Sequence, residues 1–267
     1  MEYRVRVVGR GKPLPIETFT GRIPPGRFTG GPFVKLEGAI AEGVDFSRRR
    51  FEDFATEGST LVDCDFSRCR FEGGYLDDAR QSIFRRCRFD RSAMRPLLFG
   101  PSRFESCSFE GMKLADWRPE SAEFVDCRFS GRFDGVIFSA IPQPPNDRPE
   151  RMIPWRTRNE FRGNDFSRAD LRFPDFRWGV DVTANTWPSG PDYLYLERWQ
   201  ERLERALAAV ARWEEDDLRE RALWWLRMER RDGREFQQEI LFRPADWASI
   251  PSATWRRLLP LLTAPLD

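Results

Sequence analysis

The sequence contains no histidine among its 267 residues. Histidine is the commonest general base and the commonest metal ligand, so its absence excludes Ser–His and Cys–His nucleophilic catalysis and mixed Cys/His zinc sites. The sequence also lacks a P-loop, a GxGxxG fingerprint and a GxSxG elbow. We therefore expect a protein that is not an enzyme and that uses no cofactor and no metal.

Long apolar runs are also missing, since no stretch approaches the roughly 20 residues of a membrane helix. The first residues, MEYRVRVVGRGKPLP, lack the charged-then-apolar layout of a signal peptide. The net charge is only +1, which gives no overall field to attract nucleic acid or an anionic membrane. We expect a soluble cytoplasmic protein that binds neither a membrane nor nucleic acid directly.

The sequence does have an apolar residue at every fifth position over much of its length. In CDFSRCRFEG, residues 64–73, both Cys and Phe recur after five residues, a spacing that fits neither a strand nor a helix. A small residue usually stands two positions before each apolar centre, and all five cysteines occupy that position. Such a repeat is typical of a chain that turns a corner every five residues and points two of the five side chains inward.

This repeat resembles that of the pentapeptide repeat family, in which a small residue, Asp or Asn, Leu or Phe, a small polar residue and a variable residue follow one another. CDFSR at 64–68, NDFSR at 164–168 and ADLRF at 169–173 match the pattern closely. The resemblance covers about residues 36–180. It implies a mainly β fold, a right-handed quadrilateral parallel β-helix with four pentapeptides in each coil.

The spacing of the cysteines independently supports four sides. Cys87, Cys107 and Cys127 are 20 residues apart, and Cys64 is 23 residues before Cys87, which is one coil plus a three-residue insertion. We expect these four to form one interior column of reduced thiols. The neighbouring core column is predicted to contain Phe46, Phe66, Phe89, Phe109 and Phe129.

One side of the predicted coil is irregular. Its centres are Thr56, Leu76, Phe99 and Pro119, and large inward residues, Phe54 and Trp117, stand where the centre is small. Volume compensation within the core explains this pairing. The alternative is a distorted face shaped for a partner.

The chain divides into three predicted domains. Residues 1–35 form an N-terminal strand and loop cap, with a strand at 3–8. Residues 36–181 form the β-helix, interrupted by a proline-rich loop at 139–158, and residues 182–267 form a linker and a helical C-terminal region. Helical spacing predicts one helix after an N-cap at Asp192, a second over 216–231 stopped by Gly233, and a third over 252–259 ended by Pro260.

Tryptophan is concentrated in the predicted helices after the linker, since six of the ten tryptophans lie from Trp199 onward. Trp224 and Trp225 are adjacent and cannot share one helix face. Either both pack in the interior, or they contribute to an exposed surface for dimerisation or for a partner. The candidate interaction residues are Trp117, Trp155, Trp224 and Trp225.

The family resemblance implies binding rather than catalysis. Its best-known members mimic the shape and charge of B-form DNA, bind type II topoisomerases and protect them from toxins or quinolone drugs. Such mimics carry a strongly acidic rod, whereas outward positions here include Arg48, Arg68, Arg88 and Arg128. Our interpretation is a non-catalytic protein-interaction scaffold with an unknown protein partner, and a homodimer through the C-terminal helices stays open. The alternative is a DNA-mimicking, topoisomerase (gyrase)-binding protein that gives toxin or drug resistance.

Overall fold

The computed structural model describes residues 15–77, 80–94, 98–143, 156–247 and 250–266. The strand predicted at 3–8, residues 144–155 of the proline-rich loop and Trp155 lie outside these ranges.

The central part of the chain winds into coils whose strands pair in parallel from one coil to the next. On one side, Leu61 is the register partner of Phe84, Phe84 of Phe104, and Phe104 of Phe124. These steps are 23, 20 and 20 residues, so one coil is four five-residue sides and the longer step contains the insertion. The predicted fold class, a right-handed quadrilateral β-helix with C-terminal helices, is confirmed.

Short strands form each side, and some run through a corner into the next side. The strands of the first side are Glu17–Ile23, Phe33–Glu42, Asp53–Glu57, Gly74–Leu76, Leu98–Phe99, Ile137–Ser139 and Asp175–Arg177. The second side contains Thr60–Val62, Ile83–Arg85, Arg103–Glu105, Glu123–Val125 and Phe161–Arg162. The third contains Gly26–Arg27, Val44–Asp45, Ser108–Ala115, Arg128–Asp134 and Asp165–Arg172, and the fourth contains Arg50–Phe51 and Arg70–Phe71.

The corners explain the five-residue period. At the corner between the second and third sides, Asp63, Arg86, Ser106 and Asp126 all have φ between 52° and 54°, in the left-handed region. One such residue redirects the chain without interrupting the stacking, because its N–H still bonds to the next coil; Asp63 N, for example, donates to Arg85 O at 3.0 Å.

The interior is filled by aromatic stacks that run along the coil axis. On the third side the predicted Phe column is part of a longer stack, with centroids of successive rings 4.2–5.1 Å apart. Its members in order are Phe28, Phe46, Phe66, Phe89, Phe109, Phe129, Phe166 and Trp187. Burying each phenylalanine contributes about 1.5–3 kcal/mol as an upper value.

The irregular side is packed tightly. The Phe54 ring points into the core, 4.9 Å from Phe51 and 5.7 Å from Phe66 between centroids. Gly74 lies directly beside it in the next coil, where a Cβ would come within 2.0 Å of Phe54 O, so only glycine fits. Large and small residues therefore alternate within the filled interior on this side, which supports volume compensation.

Within the described residues, parallel pairing begins at Glu17, since strand Glu17–Ile23 pairs with Phe33–Glu42, upstream of the boundary expected at residue 36. The division of the chain into three domains stays a prediction.

The C-terminal region contains helices α1 (Trp199–Val210), α2 (Asp216–Met228) and α3 (Ser252–Thr263), with short 3-10 turns at Arg234–Phe236 and Pro244–Trp247. Strands Leu194–Leu196 and Ile240–Phe242 pair antiparallel. Asp192 is not the N-cap of α1, because Arg198, with a φ of 53°, directly precedes the helix. Pro260 does not end α3, because a late proline removes only its own N–H bond and Ala264 N still bonds to Pro260 O at 3.0 Å.

Among the described residues, the helices are all too short or too polar to span a membrane.

Candidate interaction sites

The cysteines lie on interior positions of the coil, where each thiol bonds to the backbone of the preceding coil. Cys87 Sγ donates to Leu61 O at 3.4 Å and Cys107 Sγ to Phe84 O at 3.3 Å. All five cysteines are buried and free. Burial raises the pKa of the Cys69 thiol to about 12 and also raises that of Cys107. Cys69 and Cys107 are therefore neutral packing groups, which does not suit a nucleophile or a metal ligand.

Two asparagines extend the cysteine column, and the sequence analysis missed them. Asn164 takes the position after Cys127, accepting from Cys127 N at 3.0 Å and donating to Phe124 O at 2.9 Å. Asn185 follows and accepts from Asn164 Nδ2 at 2.9 Å. The signal was present in NDFSR, where asparagine occupies the small-residue position of the repeat.

A buried carboxyl group lies on the irregular side, where the insertion begins. Asp77 is fully buried and accepts hydrogen bonds from Thr56 Oγ1 at 3.0 Å, Ser82 N at 2.8 Å and Ser102 Oγ at 2.6 Å. Burial raises the pKa of this carboxyl to about 6. These bonds hold both ends of the insertion against the stacked coils. The burial of the Asp77 carboxyl is therefore explained by its role in the fold.

The outer surface of the third side carries charges of both signs in one column. Backbone pairing places Asp45, Asp65, Arg88, Ser108 and Arg128 in successive coils. Arg88 pairs with Asp65 at 2.5 Å, so opposite charges in neighbouring coils neutralise each other. The column is not a continuous acidic ladder.

Two of the candidate interaction residues, Trp117 and Trp225, lie in the core. Trp117 is 3% exposed and packs in the irregular side, 5.3 Å from Phe99 between centroids. Trp225 is fully buried and contacts Trp247 and Trp255 at 5.4 and 5.3 Å. Both rings fill interior space next to small or helical neighbours, so neither is available to a partner in this structure.

Trp224 is the candidate that the structure leaves at the surface. It is 60% exposed and lies in an open groove that is lined by Leu223, Ile250 and Pro251 and by the charged residues Glu220, Arg221 and Arg227. Successive helical residues point about 100° apart, and Trp225 takes the inner face of α2. Trp225 packs in the interior and Trp224 is exposed, so neither alternative holds for both residues.

The five-residue period and the four-sided coil together show the quadrilateral β-helix that the resemblance to the pentapeptide repeat family implies. The chain matches no protein-family profile and no curated protein.

Similar solved structures include QnrB1, a plasmid-mediated fluoroquinolone resistance protein, in two trypsin-treated variants. The first variant is 17% identical to this chain, with a TM-score of 0.21, and the match covers 60% of this chain and 90% of the QnrB1 chain. The second is 15% identical, with a TM-score of 0.20, and the match covers 65% of this chain and 89% of the QnrB1 chain. Another similar structure is that of HetL, a pentapeptide repeat protein involved in heterocyst differentiation regulation in the cyanobacterium Nostoc sp. strain PCC 7120. HetL is 11% identical to this chain, with a TM-score of 0.25, and the match covers 64% of this chain and 86% of the HetL chain. It is the register of the strands, and not these similarities, that shows the four-sided coil.

Proposed function

We propose that this protein is a non-catalytic interaction scaffold, in which the β-helix supports the helical C-terminal region and a partner protein binds Trp224. The observation that carries the proposal is the 60% exposure of a tryptophan in a groove of both apolar and charged residues. Tryptophan is the residue type most enriched at interaction hot spots, and leaving such a ring in water is unfavourable.

The buried groups of the coil favour a scaffold over an enzyme. The cysteines, Asp77 and the aromatic stacks all have structural partners inside the rod. Among the described residues, no cluster of three or more Cys, Asp or Glu side chains is placed to hold a metal.

The DNA-mimic alternative is disfavoured by the rod surface. A mimic needs negative charge that continues along the rod like a phosphate backbone. Here Asp65 is paired with Arg88, and Ser108 and Arg128 separate this pair from Asp165, the next acidic residue of the column. We therefore expect no inhibition of gyrase supercoiling at micromolar protein and no DNA binding at physiological salt.

Affinity capture from the host tests the proposal when matched variants are compared. Wild-type protein and Leu98→Ala, which removes a 55% exposed leucine on the β-helix, are expected to enrich the same partner. Trp224→Ala is expected to lose that partner while keeping its circular dichroism spectrum. If Trp224→Ala captures it equally, the partner does not use this surface.

Self-association is measured separately by sedimentation velocity. A concentration-dependent dimer that Trp224→Ala abolishes would identify a second copy of this chain as the occupant, in place of a different protein.

A further inference from the structure

A groove of about 420 Å³ runs along the outside of the β-helix, at the corner between the third and fourth sides. Its lining contains five arginines and three acidic residues, which leaves a net charge of +2. We call it the basic groove. Serine side chains such as Ser47, Ser67 and Ser130 line the space between these charges.

Three of the arginines form one column along this groove. Arg48, Arg68 and Arg91 have φ between 56° and 59° and turn the corner in successive coils, which lie about 4.8 Å apart. All three are exposed, and none has an ion-pair partner among the described residues. The Arg91 side chain lies over Gly111 of the next coil, where a Cβ would come within 3.0 Å of its Cγ.

The acidic residues of the groove have other partners. Asp65 pairs with Arg88 at 2.5 Å, and Glu110 lies 3.8 Å from Arg128. Asp90 accepts a hydrogen bond from the backbone N–H of Glu110 at 2.9 Å. The surplus positive charge of the groove therefore belongs to the arginine column.

A surface of the opposite sign lies at the start of α2, where four consecutive acidic residues are exposed. We call them the acidic run; its members are Glu214, Glu215, Asp216 and Asp217. Glu215 pairs with Arg257 at 2.6 Å, and Asp216 pairs with Arg219. Within the part of the chain that the structure describes, the other two carboxylates of the run have no ion-pair partner.

The two surfaces do not meet within one molecule, since both are exposed. The arginine column lies in the first half of the aromatic stack, beside Phe46, Phe66 and Phe89. The C-terminal region docks on the last coil, where Arg234 pairs with Asp175 at 2.7 Å. Because the surfaces lie toward opposite ends of the molecule, two antiparallel copies can form the same contact twice and close into a two-fold dimer.

We propose that the basic groove binds the acidic run of a second copy of this chain. Glu214 and Asp217 of one copy pair with the arginine column of the other, where arginine–carboxylate hydrogen bonds are charge-assisted. Each dimer contains this contact twice, which doubles the buried area. The inference goes beyond the proposed function, because neither surface includes Trp224.

Sedimentation velocity of the full chain tests the proposal. We expect a concentration-dependent dimer at about 50 mM salt that dissociates at about 1 M, where charges are screened beyond about 3 Å. Arg48→Glu combined with Arg68→Glu should weaken the dimer by at least about tenfold. The matched control, Arg50→Glu with Arg70→Glu, makes the same charge change on the fourth side, where both arginines already pair with Glu72, and should keep the dimer.

A charge exchange separates pairing from loss of fold. Glu214→Arg combined with Asp217→Arg should also be monomeric when alone, with the circular dichroism spectrum of the wild type. An equimolar mixture of this variant with the groove variant should restore the dimer, because each reversed groove then meets a reversed run. Misfolded variants could not recover in this way.

Four results would overturn the inference. They are a wild type that stays monomeric at low salt, a dimer that survives both charge reversals, a mixture that stays monomeric, and a dimer that Trp224→Ala abolishes while the groove variant keeps it. The last result would place self-association on the Trp224 surface and leave the proposed function standing.

Discussion

Replacing Phe109 by alanine tests the stacked core most severely. Its ring is fully buried, stacks on Phe89 and Phe129 at 5.1 Å on either side, and meets Phe104 edge-on at 5.5 Å. Deleting it leaves a void that coils held by backbone hydrogen bonds cannot close. We expect the free energy of unfolding to fall by about 3–5 kcal/mol.

The assay is urea unfolding followed by far-UV circular dichroism, with Phe176→Ala as the matched control. Phe176 lies in the last coil, stacks on Phe138 at 6.1 Å and meets Trp187 edge-on at 5.0 Å. Its truncation should cost clearly less, because a ring stacks on only one face of Phe176, whereas rings stack on both faces of Phe109. Equal losses for the two variants would refute the stacked-coil reasoning.

The remaining predictions concern titration and reactivity. The folded pKa of Asp77, about 6, lies above its ordinary value of 3.8, so protonation favours the fold and stability should fall by about 3 kcal/mol as pH rises from about 4 to 6. Asp77→Asn should remove this loss in urea midpoints compared between pH 4 and 7, and an unchanged pH profile would contradict the buried carboxyl. A thiol reagent should modify none of the five buried cysteines in native protein and all five in urea; rapid native labelling would contradict the interior column.

Much of the fold could be predicted because each position in the repeat has a local meaning. A 20-residue spacing places Cys107 above Cys87 whatever the rest of the chain does, and the structure has them in successive coils. The three-residue insertion changes only the spacing between Cys64 and Cys87, which is 23 residues in place of 20. The register of a β-helix is thus a property of the sequence spacing.

The candidate sites could be predicted less well, because they depend on contacts between distant segments. Adjacent tryptophans on a helix point to different faces, so the sequence shows that their surroundings differ. Only the packing of α2 against Trp247 and Trp255 decides that Trp225 is the buried one.

The most direct test of the scaffold proposal is the affinity of the purified partner, measured by biolayer interferometry for three forms of this protein. Truncating a hot-spot tryptophan costs about 2 kcal/mol or more, which is roughly 30-fold in Kd. We expect Trp224→Ala to weaken binding by at least that factor, and the double variant Asp45→Lys and Asp65→Lys to bind like the wild type. Binding that survives Trp224→Ala and is lost on reversing the two rod charges would contradict the scaffold proposal and favour recognition of the rod as a DNA mimic.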